Sequence, residues 1–165
     1  MRRFAVIASL VLLLLAAVGV AVSRFSLAAL DEPGRAETYL ASKAKHMLVA
    51  RDSSGVPPTP ASTPASVAAG EKLYGAEYAL CHGLNGRTPT DTGRWMYPRA
   101  ADLTSEQVQQ YADRELFWIV KNGIRLSGMP AFGRVETDEH IWQLVQHIRA
   151  LKRDGEPDVR VPARP

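Results

Sequence analysis

The sequence predicts an all-α protein in which one apolar helix precedes a small helical domain. Three observations predict this class. Residues 4–22 form an apolar run without a single charge. Near the other end, apolar residues recur at helical spacing, at Ile141, Leu144, Val145, Ile148 and Leu151. No stretch alternates apolar and polar residues clearly enough to predict a strand.

The apolar run at residues 4–22 predicts a transmembrane anchor. At a rise of ~1.5 Å per residue, a helix of this length reaches roughly 28 Å, close to the ~30 Å hydrocarbon core of a bilayer. A cleaved signal peptide is the alternative, but its apolar region runs about 7–15 residues, and Ser23-Arg24-Phe25 is a poor cleavage site. The basic residues of segment 1–3 favour a cytoplasmic N-terminus, although further basic residues after the run weaken this asymmetry.

Two connecting segments follow the anchor. Residues 23–52 form a juxtamembrane segment, in which we expect a helix from about Pro33 to Arg51 because Asp31 and Glu32 precede a proline. Residues 53–66 combine four prolines with Ser, Thr and Ala, which predicts an extended linker. At ~3.1 Å per residue it could separate its two ends by up to about 40 Å, and a spacer without function is an equally compatible interpretation.

Residues 67–154 are the part of the chain that can fold as a globular domain. A domain this small often needs a cofactor or metal to complete its core. We expect a helix over 67–80, a short one capped by Thr104 or Ser105, one over 114–122 capped by Asp113 and ended by Gly123, and a last one from Thr137 or Asp138. The polar tail, 155–165, is expected to be disordered.

Composition argues against nucleic-acid binding and against two kinds of cysteine site. The formal net charge is +3, and the basic residues are scattered without interleaved aromatic residues, so nucleic-acid binding has no support. The single cysteine excludes an intramolecular disulfide and a metal site built from cysteines alone within one chain.

The most informative segment is Tyr78-Ala79-Leu80-Cys81-His82, which matches the c-type haem motif C-x-x-C-H except at its first position. Further support comes from the residues around it: GEKLYGA at 70–76, GLNGR at 83–87, ELFWIVKNGIRLSGMPAF at 115–132 and IWQLVQHIR at 141–149. Together these segments resemble the small single-haem cytochrome c domain over about 67–152. The resemblance implies a cytochrome c fold in which the N-terminal and C-terminal helices of the domain cross.

The resemblance also implies roles for individual residues. Cys81 matches the cysteine that forms a thioether with haem, His82 the proximal iron ligand, and Met129 the distal ligand. Gly70 and Tyr74 match the N-terminal helix surface at the crossing. Leu144 and His147 match its partner surface on the last helix, where the family usually has an aromatic residue in place of His147.

Chemistry supports the same ligands. An imidazole and a thioether fill both axial positions of an electron-transfer haem, and the methionine raises its reduction potential. Met129 lies between Gly128 and Pro130, in a loop suited to aim a side chain at fixed iron. A methionine that merely fills the core is the alternative, and Met96, also beside a proline-containing loop, is a second candidate ligand.

Residues around the ligands carry weaker expectations. A ligating histidine normally donates its second N–H to a carbonyl, which we expect within 98–101. Haem propionates could meet Arg94, Trp95 or Arg99. The apolar lining is expected from Leu73, Leu103, Phe117, Val120, Ile124, Leu126 and Phe132. No role is expected for His46, His140 and His147.

Tyr78 stands where the motif has its first cysteine, so at most one covalent bond to haem is possible. Three outcomes follow: haem attached through Cys81 alone, haem bound without a covalent bond, or a domain that has lost haem. We favour the first, because Cys81, His82 and Met129 are all retained.

The leading functional hypothesis is a membrane-anchored electron carrier with one haem c, and not itself an enzyme. Its partners would be redox donor and acceptor proteins of a membrane electron-transport chain, and its N-terminal helix would contact lipid. Covalent haem attachment, by the resemblance, places the haem domain on the extracytoplasmic (periplasmic) side of the cell membrane. The alternatives are a haem-free structural subunit of a membrane complex, and a haem enzyme or gas sensor with a labile methionine ligand.

Overall fold

The computed structural model describes residues 2–24, 28 and 31–151, and within these ranges it contains helices and irregular segments but no strand. The all-α prediction is therefore confirmed. The predicted polar tail at 155–165 lies outside the described residues. The elements, in chain order, are α1 Arg2–Ser23, α2 Arg35–Asp52, α3 Pro64–Leu73, a π-helical segment Tyr74–Tyr78, α4 Ala79–His82, α5 Asp91–Arg94, α6 Glu106–Gln109, α7 Asp113–Asn122, a 3₁₀ turn Phe132–Arg134 and α8 Asp138–Leu151.

Helix α1 belongs to a compact unit of its own, which ends at Glu32, and a second unit begins at Pro33. None of the residues of α1 is buried. Its mean hydropathy of 2.9 and its length meet the requirement for crossing a membrane, a requirement that an N-terminal signal sequence also meets.

The crossing of α3 and α8 is the centre of the second unit. A Cβ atom on Gly70 would lie 2.1 Å from the backbone oxygen of Gln143, so the two helices touch there with no room for a side chain. One turn further, the ring of Tyr74 lies 5.1 Å from the ring of His147. Leu144 is 1% exposed. The expected crossing is confirmed, with Gly70 and Tyr74 in contact with His147 across it and Leu144 buried in the core.

A π-helical segment continues α3 into the Cys-His motif, which the sequence did not predict. The backbone N–H of Ala79 donates to the carbonyl of Tyr74, which closes the wider turn. Such a turn inserts one extra residue and shifts the register of everything that follows, and it is frequent at functional sites. Here it buries Tyr74 and Tyr78 together and ends where α4 begins.

Helix α2 packs against the domain, a contact that the sequence did not predict. Its Val49 is 2% exposed and belongs to the same core as the residues of α7 and α8. The imidazole of His46 stacks on Tyr111 with ring centroids 4.2 Å apart. The hydroxyl of Tyr97 donates to Oε1 of Glu37 at 2.6 Å.

The predicted helix from about Pro33 to Arg51 is confirmed, and it spans Arg35–Asp52.

The proline-rich stretch at 53–66 connects two packed helices and does not hold them apart. The amide of Gln146 in α8 donates to the carbonyl of Pro60 at 3.2 Å, so the stretch lies against the domain. Its last three residues already belong to α3, whose N-terminus is capped by the Thr63 hydroxyl. Residues 57–63 form neither helix nor strand, and Val49 of the preceding helix is buried in the domain core, so the stretch runs along the domain. Its role as a linker stays a prediction.

Local signals placed the remaining helices well. The Ser105 hydroxyl caps α6, and Gly123, with a φ of 67°, ends α7. Asp113 is the first residue of α7 and not its cap, and it pairs with Arg149 of α8 at 2.7 Å. Helix α5 was missed, because its single turn lies in a segment rich in Gly, Pro and Thr.

Candidate haem site

The residues that the resemblance assigns to haem line one cleft. Cys81, His82 and Met129 all contribute to its wall, and most of the wall is apolar. The cleft encloses about 1140 Å³ of space free of protein atoms, its open mouth included. The sequence therefore named three residues that the fold brings together, although 47 positions separate His82 from Met129 in the chain.

His82 is held in a defined orientation by the backbone. Its Nδ1 lies 2.8 Å from the carbonyl oxygen of Ala101, which can only accept, so Nδ1 carries the proton and Nε2 is left with a lone pair. The expected acceptor within 98–101 is confirmed. Burial lowers the pKa of His82, and the hydrogen bond to Ala101 opposes this by raising it. A neutral imidazole with a fixed tautomer is the form that binds a metal.

The backbone of Cys81 is fixed from the other side by the loop that follows the motif. The N–H of Thr90 donates to the Cys81 carbonyl at 3.1 Å, and the Thr90 hydroxyl donates to the carbonyl of Leu80. A Cβ on Gly93 would lie 2.1 Å from the Cys81 oxygen, so this approach requires glycine. The thiol itself is half-buried and free.

Met129 lies in the loop that follows α7. Its N–H donates to the Ser127 hydroxyl at 3.2 Å, and its carbonyl would lie 2.7 Å from a Cβ on Gly123. Met96 also lines the cleft, and its Sδ packs on Gly128, where an added Cβ would lie 2.6 Å from the sulfur. Both methionines thus contribute to the wall of the cleft.

Tyr78 occupies the motif's first cysteine position as a packed side chain. It is 5% exposed, and its ring lies 4.2 Å from that of Phe132 and 6.3 Å from that of Tyr74. Its hydroxyl is buried without a hydrogen-bond partner among the described residues. Burial and then the nearby carboxylates of Glu77 and Glu136 raise the pKa of Tyr78, so the phenol stays neutral.

An acidic cluster lies beside Tyr78. Glu77 lines the cleft and is hydrogen-bonded to Glu136, whose Oε2 in turn lies 2.6 Å from Nδ1 of His140. Burial, followed by the hydrogen bond and the charge of Glu136, raises the pKa of Glu77, while His140 lowers it. His140, expected to have no role, is therefore a hydrogen-bond partner of this cluster.

The predicted apolar lining is partly right. Leu103, Val120, Ile124 and Phe132 line the cleft as expected. Leu73 and Phe117 do not, and Phe117 instead stacks on Trp142 in the core, with ring centroids 4.4 Å apart. Leu126 has a φ of 63° and points outward with 91% exposure.

Of the three residues expected near the haem propionates, one lines the cleft and two do not. Arg99 lines the cleft, whereas Arg94 donates to the carbonyl of Pro89 at 3.1 Å and Trp95 is 76% exposed. Two residues that sequence reasoning missed, Lys45 and Tyr111, line the cleft. No sequence motif marks either residue as part of the site. Lys45 reaches the cleft from α2, which lies outside the segments that resemble a cytochrome c domain.

Comparison with known families decides which kind of domain this is. Residues 65–148, about half of the chain, match the family described as cytochrome C oxidase, cbb3-type, subunit III. The chain belongs to this family. It therefore contains a cytochrome c domain, which implies haem c as its cofactor and a haem-based electron-transfer role.

A solved structure shows the same fold. In the Kuenenia stuttgartiensis reducing HAO-like protein complex Kustc0457/Kustc0458, one chain is similar with a TM-score of 0.54 and 21% identity. The similarity covers 58% of this cytochrome chain and 48% of that chain, about half of its length. At this identity the likeness concerns the fold alone. Comparison with curated proteins gives no significant match.

The residues of the cleft fit a haem. His82, Met129 and Cys81 line a space with apolar walls, and their imidazole, thioether and thiol groups are of the kinds that hold haem in c-type cytochromes. Within the described part of the chain, no group of three or more His, Cys, Asp or Glu side chains is arranged to hold a bare metal ion.

Proposed function

We propose that this cytochrome carries single electrons through one haem c, with His82 and Met129 as axial iron ligands and Cys81 as the only thioether attachment. One observation carries the proposal: an imidazole, a thioether and a thiol line the same apolar cleft. Filling both axial positions favours electron transfer over chemistry at an open iron site.

The chain's own residues would prepare the site for that role. Ala101 orients His82 through Nδ1, and Ser127 fixes the backbone of Met129. The apolar walls lower the local dielectric, and such a shell tunes the redox potential. When bound, haem supplies the one-electron chemistry of its iron.

Single attachment is proposed because Tyr78 cannot form a thioether. Its ring is packed against Phe132. His82, Met129 and Cys81 would then hold the haem together, with Cys81 as the covalent part. Haem without a covalent bond, and a haem-free domain acting as a structural subunit, are alternative outcomes of the test below.

We further propose that α1 anchors the chain in the cell membrane with residues 1–3 in the cytoplasm and the haem domain on the periplasmic side. The length and hydropathy of α1 support an anchor. The side follows from covalent haem attachment, which in this family occurs outside the cytoplasm.

Redox donor and acceptor proteins of a membrane electron-transport chain are the proposed partners. Large apolar side chains beside the motif support this, since Leu80, Leu84 and Trp95 are 65%, 83% and 76% exposed. Electron-transfer encounters use small interfaces, so a few exposed apolar residues near the haem suffice for brief docking.

The test is a pyridine haemochrome spectrum of the full chain, produced with c-type haem-maturation machinery and purified in detergent. We expect one haem per chain and the α-band position of a haem with one saturated vinyl group. Cys81→Ala should release the haem under denaturing conditions, whereas Tyr78→Phe should retain it.

Three results would contradict parts of the proposal. Protein without iron would exclude the electron-transfer role for this chain. A spectrum with both vinyl groups intact would exclude the thioether. Rapid binding of carbon monoxide to the reduced protein at neutral pH would exclude Met129 as a stable ligand and favour a gas sensor or haem enzyme.

A further inference from the structure

Lys45 is a cation on the wall of the cleft. It belongs to α2, outside the residues that match the family model, yet its side chain lines the cleft. Among the described residues no carboxylate forms an ion pair with it. It is half-buried, and desolvation lowers its pKa, which marks a cation that an anion would stabilise.

Tyr111 is the neighbour of Lys45 on this wall. The Lys45 ammonium lies 6.0 Å from the centroid of the Tyr111 ring. Tyr111 is 4% exposed, lines the cleft, and its hydroxyl is buried without a hydrogen-bond partner among the described residues. A buried donor left unpaired costs about 1–3 kcal/mol, so a group that accepts from it would be stabilised.

The position of Tyr111 is fixed on several sides. His46 stacks on its ring, and the Arg149 guanidinium donates to its backbone carbonyl. Glu115 is a nearby negative charge, and its Oε2 accepts from the N–H of Ala112 at 2.7 Å. Burial and then the charge of Glu115 raise the pKa of Tyr111 to about 12, so the phenol keeps its proton as a donor.

The charges along the cleft differ from wall to wall. Glu77, with Glu136 behind it, makes the wall beside Tyr78 acidic. Lys45 supplies positive charge at Tyr111, and Arg99 adds a second cation to the lining. Of the two unpartnered tyrosine hydroxyls in the cleft, the one of Tyr111 is therefore the better partner for an anion.

We propose that Lys45 and Tyr111 together bind a carboxylate of the cofactor, a haem propionate, so that α2 forms part of the haem site. The inference rests on the proposed haem function. Haem carries its negative charges on its propionates, at the edge opposite the vinyl groups, and a lysine and a phenol supply an ionic and a neutral donor to one carboxylate.

As a consequence, the cytochrome domain of this chain includes α2, a helix that precedes residues 65–148, the part that matches the family. Helix α2 reaches the site through Lys45, holds the loop after α5 through the Glu37–Tyr97 hydrogen bond, and enters the core through Val49. Haem binding and the docking of α2 should then stabilise each other.

The test compares Lys45→Met, Lys45→Arg, Tyr111→Phe and Lys43→Met in the haem-loaded full chain. Lys43 is the matched control, because it is exposed on the same helix and does not line the cleft. Redox titration between pH 5 and 9 should give a lower reduction potential for Lys45→Met. The change in potential that accompanies propionate ionisation should also move to higher pH, because the propionate loses its neighbouring cation. Lys45→Arg should restore the wild-type potential and pH dependence, and Tyr111→Phe should also move the ionisation to higher pH.

A second readout does not depend on the potential. With haem labelled by ¹³C at its carboxyl carbons, the carboxylate bands in reduced-minus-oxidised infrared spectra should shift in Lys45→Met and Tyr111→Phe but not in Lys43→Met. Loss of haem from Lys45→Met with retention in Lys45→Arg would also support the site.

The carboxylate site would be overturned if haem-loaded Lys45→Met kept the wild-type carboxylate infrared bands and the wild-type pH dependence of the reduction potential. That result would leave the proposed haem function intact. Equal shifts in Lys43→Met and Lys45→Met would overturn it as well, since they would reflect the general charge of α2. A wild-type chain without haem would instead refute the proposed function, and this site with it.

Discussion

Gly70 and Gln143 meet so closely that an added Cβ on Gly70 would lie 2.1 Å from the Gln143 backbone oxygen. The contact joins α3, which leads into the Cys-His motif, to α8. Because backbone atoms cannot move aside as the end of a flexible side chain can, this distance fixes how near the two helices come.

Gly70→Ala should separate α3 from α8 and lower the free energy of unfolding by about 1–3 kcal/mol, the usual range for overpacking. Urea denaturation of the haem-loaded protein measures the effect. Gly75→Ala is the control, because no atom lies within 4 Å of its added Cβ, and it should be neutral or slightly stabilising. Equal losses in both variants would argue against a tight crossing.

Met129→Ala should lower the reduction potential, because a thioether ligand raises the potential of haem iron. Spectroelectrochemical titration measures the midpoint. Met96→Ala is the matched control, since Met96 lines the same wall and packs on Gly128. If Met96→Ala lowered the potential and Met129→Ala left it unchanged, the ligand assignment would have to be exchanged.

Glu77→Gln should change how stability depends on pH. Because the pKa of Glu77 is raised above its ordinary value of 4.5, mainly by burial, the folded state holds a proton that the unfolded state releases. The wild type should therefore lose stability as the pH rises from about 4.5 through the raised pKa. The amide variant should lack this loss, as seen in urea titrations at a series of pH values.

Glu71→Gln is the control for this experiment, since Glu71 lies exposed on α3. It should keep the wild-type pH profile. A Glu77→Gln protein with that same profile would mean that folding leaves the pKa of Glu77 unchanged, contrary to the prediction.

Val49→Ala should destabilise the domain even though Val49 precedes the proline-rich stretch. Removing two buried carbon groups costs about 1.6 kcal/mol in the free energy of unfolding, at roughly 0.8 kcal/mol each. Leu48→Ala removes more carbon from the same helix, but Leu48 is 43% exposed and its loss should matter less. A smaller effect for Val49→Ala than for Leu48→Ala would show that α2 does not pack on the core in solution.

Much of the fold could be predicted because its signals are local. The apolar spacing of α8, the Ser105 cap and the glycine after α7 each act within a few residues. The positions at the α3–α8 crossing came from the resemblance to the cytochrome c family, and the contacts of Gly70 and Tyr74 bear them out.

The rest depends on contacts between distant parts of the chain. The π-helical turn before Cys81 has no composition signal, since it arises where Tyr74 and Tyr78 are both drawn into the core. Lys45 and Tyr111 are 66 positions apart, and nothing in α2 marks the lysine that reaches the cleft. The apolar character of Leu126 predicts a lining residue, but Leu126 has a left-handed backbone, with a φ of 63°, and is 91% exposed.

The packing of Tyr78 limits how this cytochrome can evolve. Tyr78→Cys would restore the two-cysteine motif, but it would also remove a ring that lies between Phe132 and Tyr74. Truncating a buried aromatic ring costs about 3–5 kcal/mol, a large part of the stability of a small domain. A second cysteine would therefore fit this fold only if neighbours such as Phe132 changed as well, so the packing of the domain itself opposes a second thioether.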